Sequence, residues 1–571
     1  MSDLLVFDWE VFPFDNMVTV INLMQKTTHS FVNDLDGFRK FYAAHVGDIW
    51  TGHNARNYDQ YIVKAAVCGF DLKTVSDYII VKEQPGWMYS DLFRRVPLIV
   101  YDTMPAIPVS LKTYEAMMGN DIQETSVPFD IDRKLTEDEL NEVLKYNIHD
   151  VEQTAEVFYH RWNEFSAQLA LVNIYNMPIN YVGKTQARLA AEILGATPRV
   201  YHDEWDIRLP ETLQLSKYRY VADWFLDPKN HDVKAKLETL IAGVPHTFAW
   251  GGLHGAIPKY NYECDDDEIM LMIDVNQLYP SLMIVYNLIS RSVSRPHILV
   301  ETVDKSIQLK KEGKKKEREP YKRFNNIIYG AEGDKTNPMY DPLHRVLVCV
   351  FGQLLILDLI EKIEDICQII QSNTDGLLVL LKRTDREEFE ARVAAWEVRT
   401  GLKMGQDEFR KIYQGDVNNY LAVDVNGKVK AKGAYVKDLS PLDYDLPIVN
   451  KAIRARLVEG TPVEQTILGC DELIEYQKIV KVSSKYYAGW HRGKPLQGKT
   501  FRVFASCNPH AGPICKIKEP GAKPEKFANT PEHCFIDNGQ VRGKQVPAEL
   551  DKYWYINTAK SRLAEKFSIT D

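Results

Sequence analysis

Residues 269–283 read IMLMIDVNQLYPSLM, and the fold turns on how this stretch is read. The unbroken apolar run before Asp274 predicts a buried strand, and Pro280 suits only the first turn of a helix. The chain therefore passes from strand to helix just beyond a carboxylate. Taken alone, Asp274 could be no more than a strand terminus. Residues 368–381, QIIQSNTDGLLVLL, add a second carboxylate: two apolar runs joined at Asn373-Thr374-Asp375-Gly376 predict a hairpin with Asp375 at its tip. An Asp before Gly in a turn is commonplace by itself. Between the two lies EREPYKRFNNIIYG, residues 317–330, with Lys310, Lys311, Lys314, Lys315 and Lys316 just upstream. A Lys-rich helix is usually a solvated surface, but here Lys322, Asn326 and Tyr329 fall along one helical side.

Together these stretches resemble motifs A, B and C of the family-B DNA polymerases: DVNQLYPS against DxxSLYPS, KRFNNIIYG against KxxxNxxYG, and NTDG in place of DTDS. The resemblance implies a right-hand palm, fingers and thumb, with Asp274 and Asp375 as ligands for two Mg²⁺ ions, for which Mn²⁺ can substitute. It further implies Lys322 and Asn326 on the incoming dNTP triphosphate, helped by backbone N–H groups from Val275 to Leu278 and by Lys310 and Arg318. Tyr279 would exclude a 2′-OH and Tyr329 would line the nascent pair. Three departures stand out. Asn373 replaces the first Asp of motif C, and Ala249 replaces the aromatic before Gly251-Gly252. Asn418-Asn419-Tyr420 lacks the Lys of the primer-gripping KxY pattern, for which Lys428, Lys430 and Lys432 are nearby. Asn373 leaves open an alternative, a DNA exonuclease on a non-catalytic polymerase fold serving as a DNA-binding scaffold. A family-A enzyme would need a His-Asp pair that is absent, and Tyr279 opposes an RNA-polymerising one.

The N-terminal region carries a second constellation. LLVFDWEVF, residues 4–12, alternates as a strand and puts Asp8 and Glu10 on one face. HNARNYDQYIV, residues 53–63, supplies Asn54, Tyr58 and Asp59. Residues 135–158 read as an amphipathic helix opened by a Thr136/Glu139 capping box, with Tyr146 and Asp150 four residues apart on a shared face. These segments resemble the Tyr-containing DEDD exonucleases found at the N-terminus of family-B polymerases, an RNase H-like fold. The resemblance implies Asp8, Glu10, Asp59 and Asp150 as carboxylates for two further metal ions and Tyr146 as the group positioning water. Asn54 and Tyr58 would hold the frayed primer end. YDTMPAIPV, residues 101–109, with Thr103 and Met104, resembles a single-strand-binding stretch of the same family.

With 571 residues the chain is expected to form several α/β domains. We assign the exonuclease to 1–165, a connecting region with a short hairpin and helix to 166–245, palm to 246–300 and 345–440, fingers to 301–344, and thumb with a C-terminal extension to 441–571. The net charge of −9 is an average. From Lys478 to Arg502 no acidic residue occurs, and Lys485 and Arg492 stand among aromatics, a pattern suited to a phosphate backbone. Eight cysteines without a CxxC pair fit reduced thiols in the cytoplasm, a host's if the source is viral. Cys507, His510, Cys515, His533 and Cys534 match no standard zinc spacing. No export signal or membrane span is evident. The motifs are closest to small bacteriophage replicases. Only 47 residues separate Asp274 from Lys322, too few for the insertion that grips a terminal-protein primer. The expected partners are primer-template DNA, dNTPs and single-stranded DNA, bound by a monomer.

Overall fold

The computed structural model describes residues 2–433 and 435–570. The chain divides into two compact α/β units, each built from several segments. The first takes the residues up to Lys184 together with Leu439–Ile448 and Ile467–Ile556; the second takes Thr185–Asp438, Val449–Thr466 and Asn557 onward.

The first unit opens with a five-stranded mixed sheet: β1 (Leu4–Val11), β2 (Asn16–Asn22), β3 (Thr27–Val32), β4 (Ile49–Gly52) and β5 (Ile99–Asp102), in the order β3-β2-β1-β4-β5. β1 pairs antiparallel to β2 and parallel to β4, so it is central, and its side chains are buried on both faces except at Asp8. The helix Glu137–His160 packs beside β1 and starts at the expected capping box, both halves of which form.

In the second unit a ten-stranded sheet runs from β6 (Lys236–Ile241), β7 (Val244–Ala249) and β8 (Gly252–Ala256) through β9 (Tyr260–Glu263) and β10 (Glu268–Val275). It continues with β11 (Gln368–Asn373), β12 (Gly376–Lys382), β13 (Met404–Asp416), β14 (Asn419–Asp424) and β15 (Val429–Lys432). The path is β15-β14-β13-β10-β12-β11-β8-β7-β6, with β9 added on β13. The helix Pro342–Ile363 is buried all round from Val346 to Ile360, as its largely apolar sequence there requires. Its one buried acid, Asp358, is paired with Arg399 at 2.7 Å. Helices His297–Lys311 and Lys315–Glu332 form the inserted pair.

Returning to the first unit, the C-terminal strands are β16 (Lys478–Lys481), β17 (Ala488–His491), β18 (Lys494–Leu496), β19 (Thr500–Ala505), β20 (Cys515–Ile517), β21 (Glu525–Lys526) and β22 (Cys534–Ile536). They make two small sheets, β16-β19-β22 and β18-β17-β20-β21.

The structure departs from the sequence reading in three places. No hairpin forms at 173–182. There the helix Trp162–Ile174 ends, Asn176 turns left-handed (φ 49°), and a 3-10 turn Ile179–Gly183 follows. Its carbonyls are satisfied by the Gln168 amide, which donates to those of Val182 and Lys184 at 2.7 Å, so no partner strand is needed. The large sheet begins at Lys236, inside the region read as a connector. The segment 441–571 is not one body: 467–556 belongs to the first unit and 557 onward to the second. Among the described residues no helix is long and apolar enough to cross a membrane.

Candidate active sites

The first site lies on β1. Asp8 and Glu10 project from it, Asp59 is the first residue of the helix Asp59–Cys68, and Asp150 comes from the helix Glu137–His160. Carboxylate oxygens of Asp8, Glu10 and Asp150 lie within 4.8 Å of one another. Asp59 accepts from the Trp9 N–H at 3.2 Å, which fixes it against the same strand. Burial, then the neighbouring carboxylates, push Asp8 and Glu10 well above the usual carboxylate range. Burial likewise pushes Asp59 up to about 7, with the Trp9 N–H pulling back. Asp150 is pushed up to about 6 by burial, opposed mainly by Lys112. Carboxylates crowded in a dry site are stabilised by a proton or by a cation, and Lys112 supplies one positive charge here.

Two contributors escaped the sequence reading. Lys112, on the helix Leu111–Met118, donates to Asp150 at 2.5 Å and to Glu115 at 3.1 Å, and its ammonium sits 4.5 Å from the Tyr146 ring centroid. Asn147 donates to the Asp8 carbonyl and carboxylate at 3.1 Å. Only the spacing of Asn147 and Asp150, one turn apart on a helix, could have signalled the second. Tyr146 shares a helix face with Asp150, as their i,i+4 spacing predicts, and burial with the surrounding carboxylates pushes its hydroxyl well up. Asn54 holds a left-handed backbone (φ 65°) pinned by its N–H to Asp102 at 2.9 Å, and the Tyr58 hydroxyl is tied to Ser76 at 2.9 Å. Thr103 is fully buried, its hydroxyl bonded to His53 and to the Gly52 carbonyl. Its side chain holds the loop and cannot touch a strand.

The second site is a cleft of about 510 Å³ in the second unit. Asp274 at the end of β10 faces Gly376 across the β10–β12 pairing, with Asp375 at the adjoining hairpin tip. A Cβ at position 376 would meet the Ile273 carbonyl at 2.1 Å, so only glycine lets this tip close on Asp274. Lys310, Arg318, Lys322 and Asn326 from the inserted helices line the same cleft, as do Val275, Leu278 and Tyr279. The Tyr279 ring stacks on that of Tyr329, with centroids 4.1 Å apart, and the Tyr329 hydroxyl meets the Cys349 thiol at 2.8 Å. Burial raises Asp274, opposed first by Lys430, while Asp375 and Asp407 add to the rise.

One expectation for this cleft is corrected. The N–H groups of Val275 and Asn276 are already donated to the carbonyls of Asp375 (2.7 Å) and Lys403 (2.8 Å). Leu278 opens a helix, where the first N–H groups have no intrahelical acceptor. An adjoining cavity of about 180 Å³ is lined by Tyr420, Lys430 and Lys432 together with both carboxylates. Tyr420 and Lys432 are direct cross-strand partners on β14 and β15. His254, unnoticed in the sequence, also lines the cleft.

Of the C-terminal basic stretch, Lys485 and Arg492 are exposed, but Arg502 is fully buried and Lys478 is paired with Asp445 at 2.6 Å. Those two cations are structural.

No protein-family model matches the chain, and no curated protein matches it. Among solved structures the chain is similar to the family B DNA polymerase from the hyperthermophilic archaeon Pyrobaculum calidifontis, at 14% identity and a TM-score of 0.44, over 100% of this chain and 78% of that one.

Proposed function

We propose that the chain is a template-directed DNA polymerase of the family-B kind, of a phage replicative type, with a 3′→5′ proofreading exonuclease in its first unit. The observation that carries this reading is the convergence of Asp274, Asp375, Lys322 and Asn326, from three separate stretches, on one cleft. The β3-β2-β1-β4-β5 order, with β4 and β5 parallel to β1, supports an RNase H-like exonuclease.

Both carboxylate sets fit divalent cations, being hard oxygen donors; Asp8, Glu10 and Asp150 are held together at a cost that a cation offsets, and Asp375 adds to the rise of Asp274. Mg²⁺ held by Asp274 and Asp375, and by Asp8, Glu10, Asp59 and Asp150, would stabilise charge on the transferring phosphoryl group and make the attacking oxygen more acidic.

The chain's own residues do the rest. Lys322 and Asn326, with Lys310 and Arg318, bind the triphosphate of the incoming dNTP. Tyr279, backed by Tyr329, bars a 2′-OH. Tyr420, Lys430 and Lys432 hold the primer end, and the lysines take the place of the missing KxY lysine. In the first unit Tyr146 orients a water, Lys112 fixes Asp150, Asn147 fixes Asp8, and Asn54 with the Tyr58 ring holds an unpaired 3′ end.

A second reading, a nuclease with a retired polymerase fold, is favoured by Asn373 alone. The deciding experiment incubates the protein with Mg²⁺ and a labelled primer on a longer DNA template, with and without dNTPs. Wild type should extend with dNTPs and shorten without them. Asp274→Ala should lose only extension and Asp8→Ala only shortening, each by at least about 10³-fold. A wild type that only shortens the primer under every condition establishes the second reading, and one that does neither sinks both.

A further inference from the structure

The first unit contains a cavity of about 420 Å³ that neither catalytic constellation uses. It lies between the β17–β18 hairpin and the β16-β19-β22 sheet, and its walls include Arg492, Gln497, Phe501, Phe535, Asn538 and Glu549. We propose that this cavity is a subsite for an unpaired DNA strand, taking one nucleotide with its base against Phe535 and its phosphate on Arg492. The inference rests on the reading of the chain as an enzyme acting on DNA.

Four observations carry it. The volume lies in the range of small-ligand sites and accommodates a single nucleotide. The walls combine the parts such a ligand needs. Phe535, half-buried and stacked on Phe504 at 5.1 Å, offers a ring. The Gln497 amide and one Glu549 oxygen are open to the cavity for a base edge, while the Asn538 amide is held by the Arg502 N–H at 3.0 Å and the Thr500 carbonyl at 3.3 Å and only shapes the wall. The cavity also sits inside the stretch from Lys478 to Arg502 that has no acidic residue. Among the described residues Lys481, Lys485, Arg492, Lys494 and Lys499 make no ion pair with an acidic side chain, so these exposed cations are available along a strand's flanking phosphates.

The fourth observation is the placement of Arg492. It occupies the first central position of the two-residue turn joining His491 to Lys494, in the left-handed region (φ 48°), followed by Gly493 (φ 76°). Asn, Asp or Gly suits that position, and a long side chain does not. Only the Arg492 Nε is engaged, with the Ala511 carbonyl at 3.2 Å. The remainder of the guanidinium fork is left to the cavity, the group best shaped for bidentate phosphate recognition. The β16-β19-β22 wall of the cavity is tied to the exonuclease-like half of its unit, because Arg502 on β19 binds the end of the helix that carries Lys112. A strand held here is held by the unit that would trim it.

The turn supplies a clean test. Arg492→Asn places a favoured residue in the turn while removing the cation, so the hairpin keeps its geometry. Phe535→Leu keeps the apolar packing and removes the aromatic face. Binding of a fluorescein-labelled single-stranded DNA 20-mer of mixed sequence is measured with the full chain in EDTA, so that no metal-dependent cleavage consumes the probe. Arg492→Asn should flatten the plot of log affinity against log salt by about 0.7. Phe535→Leu should weaken binding about tenfold. 5-Iododeoxyuridine in the probe should photocrosslink to Phe535 or its immediate neighbours.

Unchanged affinity and salt slope in both variants overturn the proposal. So does an Arg492 effect without any Phe535 effect or crosslink, which would reduce the site to a surface phosphate contact. A matching RNA 20-mer that alone responds to the variants also overturns it. Failure of the wild type in the extension and shortening assay instead sinks the parent reading and is seen independently.

Discussion

Arg502 allows the sharpest test of how the first unit is held together. Its side chain is fully buried with no carboxylate partner, and desolvation pulls its pKa down to about 10, so it stays protonated at neutral pH. Nε donates to Gln477 at 3.0 Å. One terminal nitrogen reaches the carbonyls of Gly539 (2.6 Å) and Asp537 (3.2 Å), and the other those of Asn120 (2.8 Å), Ala116 (3.0 Å) and Glu115 (3.4 Å). The last three lie at the C-terminal end of the helix Leu111–Met118 and just past it; Ala116 and Glu115 also accept from the Gly119 and Asn120 N–H groups, and here a cation meets the negative end of the helix dipole. Truncation to Ala strands these acceptors away from water. At roughly 1 kcal/mol for each well-formed bond, less the recovered solvation of the cation, the loss is about 3–5 kcal/mol. For a unit of this size that lowers the melting temperature by about 5–8 °C. Arg502→Lys, with three donors for six acceptors, should lose about half as much. Differential scanning calorimetry reads the shift, and hydrogen exchange should show the amides around 111–120 opening first. If Arg502→Ala melts within about 2 °C of wild type, or if Lys is no better than Ala, the assignment of Arg502 as an internal cap is refuted. A lowered salt slope for DNA binding at unchanged stability would return it to the phosphate-contacting group that the sequence suggests.

Two further outcomes follow from the second unit. Tyr279→Ala should raise the use of ribonucleotides relative to dNTPs by about 10–200-fold in competitive incorporation, the span open to a steric pocket; an unchanged ratio removes Tyr279 from the sugar. Glu332 is fully buried, accepts from the Ser290 N–H at 2.7 Å, and has one carboxylate oxygen without a partner; burial pushes it well above the carboxylate range. With the folded value raised, its stability contribution is intact below the unfolded value and is lost as pH climbs towards the folded one. The melting-temperature advantage of Glu332→Gln over wild type should therefore grow from pH 5 to pH 8. A constant difference across that window contradicts a neutral Glu332 in the fold.

Much of the geometry of the candidate sites was legible because it is local. The strand Leu4–Val11, the capped helix Glu137–His160, and the Asn373–Gly376 tip each follow from periodicity and turn chemistry within a few residues. The convergence of Asp274 with Lys322 was legible only through family resemblance, since no spacing rule joins a strand end to the second helix of an inserted pair. Lys112 and Arg502 were illegible or misread for one reason. A basic residue in sequence looks the same whether it faces a phosphate, a buried carboxylate or a cluster of backbone carbonyls, and only tertiary context separates them. The hairpin expected at 173–182 failed similarly, because a single remote amide, Gln168, satisfied the carbonyls that would otherwise have sought a strand.

The interleaving of the two units has a bearing on biosynthesis. The first unit recruits residues as late as Ile556, so at about 5–20 residues per second its amino-terminal segment waits roughly 20–75 s on the ribosome before its last strands and the Arg502 tether exist. During that interval β1 to β5 and the helix Leu111–Met118 present an incomplete surface. A fragment ending near Lys184 reproduces that nascent state permanently. A separately functioning nuclease should thus be sought not by cutting the chain after its first motifs, but by inactivating Asp274 in the intact protein.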